Sequence, residues 1–252
     1  MALAKTVLER MQTSTNGHQK SVVLRAVIPP LENGDRLTRA EFERRYHAMP
    51  PHVRAELIEG EVHMSSPVRH KHHGGPHIQL GTLIGSYSSE TPGTDCSDNA
   101  TVRLDLDNEP QPDVVLFLLP EFGGQMRLSA DGYLEGAPEL AIEVAASTVS
   151  IDLHAKLRAY RRNGVREYLV WRVEDGALDW FRLVEGEYLP LQPDARGIVR
   201  SQLFPGLWLD TRAMLGGELK KLLDTLRQGL ASKEHVAFVR QLKARRKAKV
   251  PR

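Results

Sequence analysis

The longest uninterrupted apolar run in the chain is VVLFLL, residues 114–119. Such a run makes about one buried strand and falls far short of the roughly 20 residues needed to cross a bilayer. A second apolar stretch, LAIEVAA at 140–146, carries a glutamate, Glu143, among its aliphatic residues. The chain must therefore bury at least two strands of a sheet, and one of them takes a carboxylate inside with it.

The elements around these strands follow from local signals. Thr38 with Glu41 three residues later forms a capping box and predicts a short helix to about residue 49, where Pro50-Pro51 stops it. RAELIEGEVHMSS alternates around Glu59-Gly60 and predicts a β-hairpin. Pro76 suits the first turn of a helix carried by Leu80, Leu83, Ile84 and Tyr87, which SSETPG ends. Strands are expected at 100–106 and 113–119, then at 140–144. A helix over 151–162, a strand over 167–173, a hairpin and FPGLWLD complete the body. The pattern is α/β with mixed strand pairing rather than a regular β–α repeat. Residues 1–36 read as an extension, although VVLRAVI (22–28) could form an edge strand. Residues 37–216 read as the domain and 217–252 as a basic helical tail.

The net charge of +2, from 34 basic against 32 acidic residues, at first argues against a nucleic-acid partner. Its distribution reverses that argument. Residues 218–252 hold eleven Lys and Arg against three Asp and Glu, a local +8, so the rest of the chain carries +2 less +8, or −6. The tail begins with an apolar stripe, Leu219, Leu222, Leu223, Leu226 and Leu230. The basic residues between Arg240 and Arg252 then form either a solvated helix end or a phosphate-attracting surface. No apolar core of signal-peptide length opens the chain, and the single cysteine, Cys96, permits no internal disulfide and no Cys-based zinc site. A soluble, cytoplasmic body is expected.

Three carboxylates stand where they cost most: Glu56 in the hairpin strand, Asp113 at the mouth of VVLFLL, and Glu143. A buried carboxylate needs a cation or donors, and oxygen-only ligands suit Mg²⁺ or Mn²⁺ rather than zinc. Any one of them alone reads more simply as a strand-edge charge facing solvent, and it is the combination that points to a site. Four histidines, His70, His72, His73 and His77, invite a metal reading, but Gly74-Gly75-Pro76 is expected to break any helix that would align them. His73 is expected to approach the carboxylates at the start of the following helix, where it could contact a phosphate, and the others to be solvated loop residues. Trp171 and Trp180 read as packing residues, Gly123, Gly124 and Gly132 as turns, and Cys96 as an inert thiol.

Taken in order, AELIEGEVHMSSP, HKHH, QPDVV, PELAIEVAAST, DLHAKLRAYRRNGVREYLVW and FPGLWLD resemble the putative restriction endonuclease family of the PD-(D/E)XK nuclease superfamily, from about residue 37 to 210. The resemblance implies a restriction-endonuclease-like fold: a mixed sheet with helices on both faces, here with an added late antiparallel hairpin. It also implies Mg²⁺-dependent (or Mn²⁺-dependent) phosphodiester hydrolysis, with DNA as the expected partner through the active-site face and a homodimer as one arrangement. The basic tail, Arg240 to Arg252, lies outside the resemblance and could add a DNA contact by its charge alone. By the same resemblance Asp113 matches the aspartate of PD, Glu143 the second acidic residue, and Glu56 an upstream glutamate that some members use as a further metal ligand. The lysine expected two residues after Glu143 is Ala145 here, and Lys156 on the next helix is the position that fits.

The helix can be judged independently. Leu153, Leu157 and Tyr160 share one face, and at about 100° per residue Lys156 lies roughly 60° from its centre, able to reach toward Glu143. A plain i,i+4 pair with Asp152 is the alternative. The expected site is thus Glu56, Asp113, Glu143 and Lys156 with His73 as accessory, beside a core of Leu57, Ile58, Ile142 and Val144. The displaced lysine keeps open a non-catalytic nucleic-acid-binding or assembly module, and a hydrolase of some other phosphate ester is a further option.

Overall fold

The computed structural model describes residues 28–65 and 69–249, the last three of these by backbone alone. The candidate edge strand at 22–28 lies outside the described residues save its final position. Thr38 caps α1 (Arg39–Tyr46), its hydroxyl accepting the Glu41 N–H. Phe42 of α1 and Leu31 pack with Leu57 and Val62 of a hairpin, β1 (Ala55–Ile58) and β2 (Glu61–Met64). Its turn residues, Glu59 and Gly60, both have positive φ, at 51° and 76°. That is the backbone a tight two-residue hairpin demands.

A wide π turn, His70–Gly74, runs directly into α2 (Gly75–Glu90). There follow β3 (Thr94–Asp98), β4 (Val102–Arg103), β5 (Val114–Leu118), β6 (Arg127–Leu128), β7 (Leu134–Glu135) and β8 (Leu140–Ala145). A second π turn, Ile151–Lys156, leads into α3 (Leu157–Arg162). The chain continues through β9 (Glu167–Arg172), β10 (Ala177–Val184), β11 (Glu187–Pro190), β12 (Ile198–Arg200) and β13 (Trp208–Asp210). It ends with α4 (Thr211–Leu215), α5 (Leu219–Leu230) and α6 (Lys233–Lys249).

The main sheet has the order β11-β10-β9-β8-β5-β3, in which only β8 and β9 run parallel. The parallel pair needs a crossover, which the segment containing α3 supplies. Alternation along β8 separates the two faces. Leu140, Ile142 and Val144 join Leu80 and Leu83 of α2 and Leu222 and Leu226 of α5 in one core. Ala141 and Ala145 join Tyr160 of α3 and Tyr168 and Val170 of β9 in the other. The expected mixed sheet with helices on both faces and a late antiparallel hairpin (β10–β11) is therefore present.

Two local expectations are corrected. The edge strand beside β5 is β3, just after the helix-ending SSETPG, where no element was expected, while of 100–106 only β4 is strand, in a small separate sheet with β7 and β6. Its sequence, TDCSD, hides an edge strand because no residue of it is fully buried. Gly74-Gly75-Pro76 also does not interrupt the helix, because the wide turn before it loosens the backbone where the proline ring would otherwise press on the preceding turn. Trp171 and Trp180 are core residues, as expected, and Trp180 donates its indole N–H to Glu167 at 3.1 Å.

The basic tail is two docked helices. Leu242 of α6 is fully buried, and Arg245 donates to the Phe122 carbonyl at 3.3 Å. Among the described residues no helix is long and apolar enough to cross a membrane.

Candidate active site

The pairing of β5 with β8 places Val114 opposite Ile142, so Asp113, one residue before β5, comes to the end of β8 that carries Glu143 and Val144. Asp113 is nearly closed off from solvent. Its Oδ2 accepts the Val144 N–H at 2.7 Å, and its Oδ1 lies 2.9 Å from Nε2 of His73, carried to it by the turn before α2. Burial alone would push the Asp113 carboxyl up. The hydrogen bond and charge of His73 outweigh that and hold it below the ordinary aspartate value. The same hydrogen bond raises His73 against the opposing effect of burial.

Lys156 closes the other half of the site. Its ammonium lies 3.0 Å from Glu56, 3.1 Å from Glu143 and 3.5 Å from Asp152. Burial would lower its pKa, but these three carboxylates, Glu143 first, hold it well above the ordinary lysine value, so it stays charged. Glu56 is fixed by accepting the Gln111 N–H at 2.6 Å, and Glu143 by the Tyr160 hydroxyl at 2.8 Å. Burial pushes the Glu143 carboxyl well up. Lys156 opposes this, while Asp152, Glu56 and Asp113 add to it.

The structure thus brings Glu56, Glu143 and Lys156 together, and joins Asp113 to His73 beside them. The pair Lys156–Asp152 exists as well, but as one contact of a buried cluster rather than a surface pair. Three residues around the site were not expected in it from sequence. Asp152 figured only as the possible surface partner of Lys156, yet it is buried and held at Oδ2 by the Thr148 hydroxyl at 2.6 Å. Tyr160 figured only as part of the apolar face. His77 was expected in a solvated loop; instead it sits in the first turn of α2, and its Nε2 donates to the Asp113 carbonyl at 2.9 Å. The i,i+4 spacings of 73 with 77, 152 with 156 and 156 with 160 are the signal that points to all three.

The donor chemistry fits a divalent cation. Four carboxylates, Glu56, Asp113, Glu143 and Asp152, share the site with three side chains able to carry positive charge, Lys156, His73 and His77. Burial raises the Glu143 and Asp152 carboxyls, and a divalent cation would compensate the charge that their ionisation creates in this largely buried space. Among the described residues, only His73, His77 and Asp113 offer three ligand atoms all within 4.8 Å of one another. Lys156 fills the space between Glu56 and Glu143.

No curated protein matches the chain in sequence. A crystal structure of a putative nuclease belonging to DUF820 from Anabaena variabilis is similar in fold. Its TM-score is 0.52 at 15% identity, covering 69% of this chain and 97% of that one. The family model described as Uma2, putative restriction endonuclease, matches residues 39–212, which takes in every site residue above and leaves out α5 and α6. The chain belongs to that family, the putative restriction endonucleases.

Proposed function

We propose that the chain is a divalent-metal-dependent endonuclease that hydrolyses phosphodiester bonds in DNA. The observation that carries the reading is the reach of Lys156, from the turn before α3, onto both Glu143 and Glu56. It supplies the cation that Ala145 cannot.

Asp113 and Glu143 would hold the ion, Mg²⁺ or Mn²⁺, with Glu56 contributing from the hairpin. Such an ion, when bound, supplies Lewis acidity to a phosphoryl oxygen and lowers the pKa of water. Lys156, charged among carboxylates, orients the attacking water by hydrogen bonding and stabilises charge that develops on the phosphate. Glu56 and Asp152 aim Lys156, Tyr160 fixes Glu143, and His73 fixes Asp113. Arg240, Lys243, Arg245 and Arg246, all exposed on α6, offer phosphate contacts to flanking DNA. α6 docks at Phe122, beyond the end of β5 remote from Asp113. A strand of that length spans about 17 Å, so this grip and the reacting phosphate are separate contacts.

The test is nicking of supercoiled plasmid with Mg²⁺ or Mn²⁺ by wild type, Glu143→Ala and Lys156→Ala. Loss of nicking in both variants is the expected result; nicking that persists in both removes this site. A non-catalytic DNA-binding module, which the displaced lysine allows, would bind plasmid and leave it intact with either ion.

A further inference from the structure

We infer that the ion held at Asp113 is a first-row transition ion such as Mn²⁺, Co²⁺ or Zn²⁺ rather than Mg²⁺, because His73 and His77 complete its ligand set with two imidazole nitrogens. This deepens the reading of Asp113 as a metal ligand and rests on it.

Three observations build the set. The unbroken passage from the π turn into α2 places His73 and His77 four residues apart on one helical face, the spacing by which paired histidines grip one ion. Their rings meet edge to face with centroids 5.4 Å apart. One ligand atom from each of His73, His77 and Asp113 falls within 4.8 Å of the other two. Metal bonds of about 2.0–2.2 Å set neighbouring ligands roughly 3–3.5 Å apart, so small side-chain rotations suffice.

The hydrogen bonds already assign the nitrogens. A carbonyl only accepts, so the 2.9 Å contact of His77 Nε2 with the Asp113 carbonyl puts the proton on Nε2. Nδ1 then carries the lone pair, and it is the nitrogen that stands 4.0 Å from Asp113 Oδ1. A backbone carbonyl accepting the far N–H is the outer support that ligating histidines have. On His73, Nδ1 is buried and meets no hydrogen-bond partner among the described residues. No second hydrogen bond therefore fixes that ring against the rotation that ligation requires. Two imidazoles with one carboxylate favour borderline ions, whereas Mg²⁺ prefers oxygen ligands and keeps its water.

The experiment is titration of the chelator-stripped full-length chain with Co²⁺, followed by visible absorption, with Mg²⁺ as competitor. One Co²⁺ per chain with nitrogen-ligated bands is expected, undisplaced by about a hundredfold excess of Mg²⁺. His77→Ala and the size-conserving His77→Gln should each weaken Co²⁺ binding by at least about tenfold, with far-UV circular dichroism unchanged for His77→Gln. His72→Ala, at an exposed histidine, should leave it as in wild type. Wild-type affinity and spectrum in folded His77→Gln, or displacement by equimolar Mg²⁺, would overturn the inference. Failure of the nuclease reading looks different: Co²⁺ binds with these properties and plasmid stays intact with every ion.

Discussion

The Lys156 ammonium stands 3.1 Å from the Glu143 carboxylate inside the fold, the lysine 6% and the glutamate 5% exposed. Neither partner can retreat into water. The Lys156 charge therefore depends on the carboxyls around it, and the fold is coupled to the chemistry proposed for the site.

Lys156→Met keeps the apolar stem of the side chain and removes its charge. Glu56, Glu143 and Asp152 are then left buried together, at a cost of about 3–5 kcal/mol for breaking a buried ion pair. Thermal denaturation in chelator should show a lowered midpoint, and Mn²⁺ should restore part of it by returning positive charge. An unchanged midpoint in chelator would mean that the cluster is wetter than its geometry indicates.

Glu109 gives the stability a pH dependence away from the site. Burial, with the Glu43 carboxyl beside it, raises its carboxyl to about 8. Burial likewise raises Glu167 to about 7, although Ser201 and Trp180 bond to it. Below about pH 4.5 both groups are protonated whether the chain is folded or not, and no penalty applies. As pH rises from there the unfolded chain loses these protons while the folded one keeps them, so their contribution falls until about pH 8. Urea midpoints should decline from pH 5 to pH 8, and Glu109→Gln should flatten the decline. A parallel slope in that variant would contradict the assignment.

Gly229 lets the backbone of α5 touch a neighbouring loop. A Cβ there would come within 2.2 Å of the Gly206 carbonyl and 2.8 Å of the Trp208 ring. Gly229→Ala should cost about 1–3 kcal/mol through overpacking, read by chemical denaturation. Gly81→Ala, with nothing within 4 Å of the new atom, should cost no stability and gain up to about 1 kcal/mol from helix propensity.

DNA affinity should fall steeply with salt if α6 contacts phosphates. Each contact adds about 0.9 to the slope of log K against log salt, so Arg240→Gln with Lys243→Gln should reduce that slope by up to about 2. A slope equal to wild type would place the DNA elsewhere on the surface.

Local chemistry made much of this protein legible. The Glu59-Gly60 hairpin, the Thr38 cap and the two apolar strands each depend on a few neighbouring residues, and each forms where its sequence indicates. Edge strand β3 was hidden because half-exposed residues carry no apolar pattern. The helix through Gly74-Gly75-Pro76 was hidden because a π turn relieves the proline, and no local signal announces it. The grouping of acidic residues at 56, 113 and 143 was likewise visible only as three isolated costs, weighted by a family resemblance.

What joins them is long-range. Strand pairing brings Asp113 to the end of β8 that carries Glu143, the helical layer on one face brings Lys156, and the layer on the other brings His73 and His77. Sequence by itself determined which residues would be expensive to bury, since desolvation is a property of each side chain. Only the tertiary structure decided which charges would meet to offset that cost, because such contacts act over a few ångströms between segments far apart along the chain.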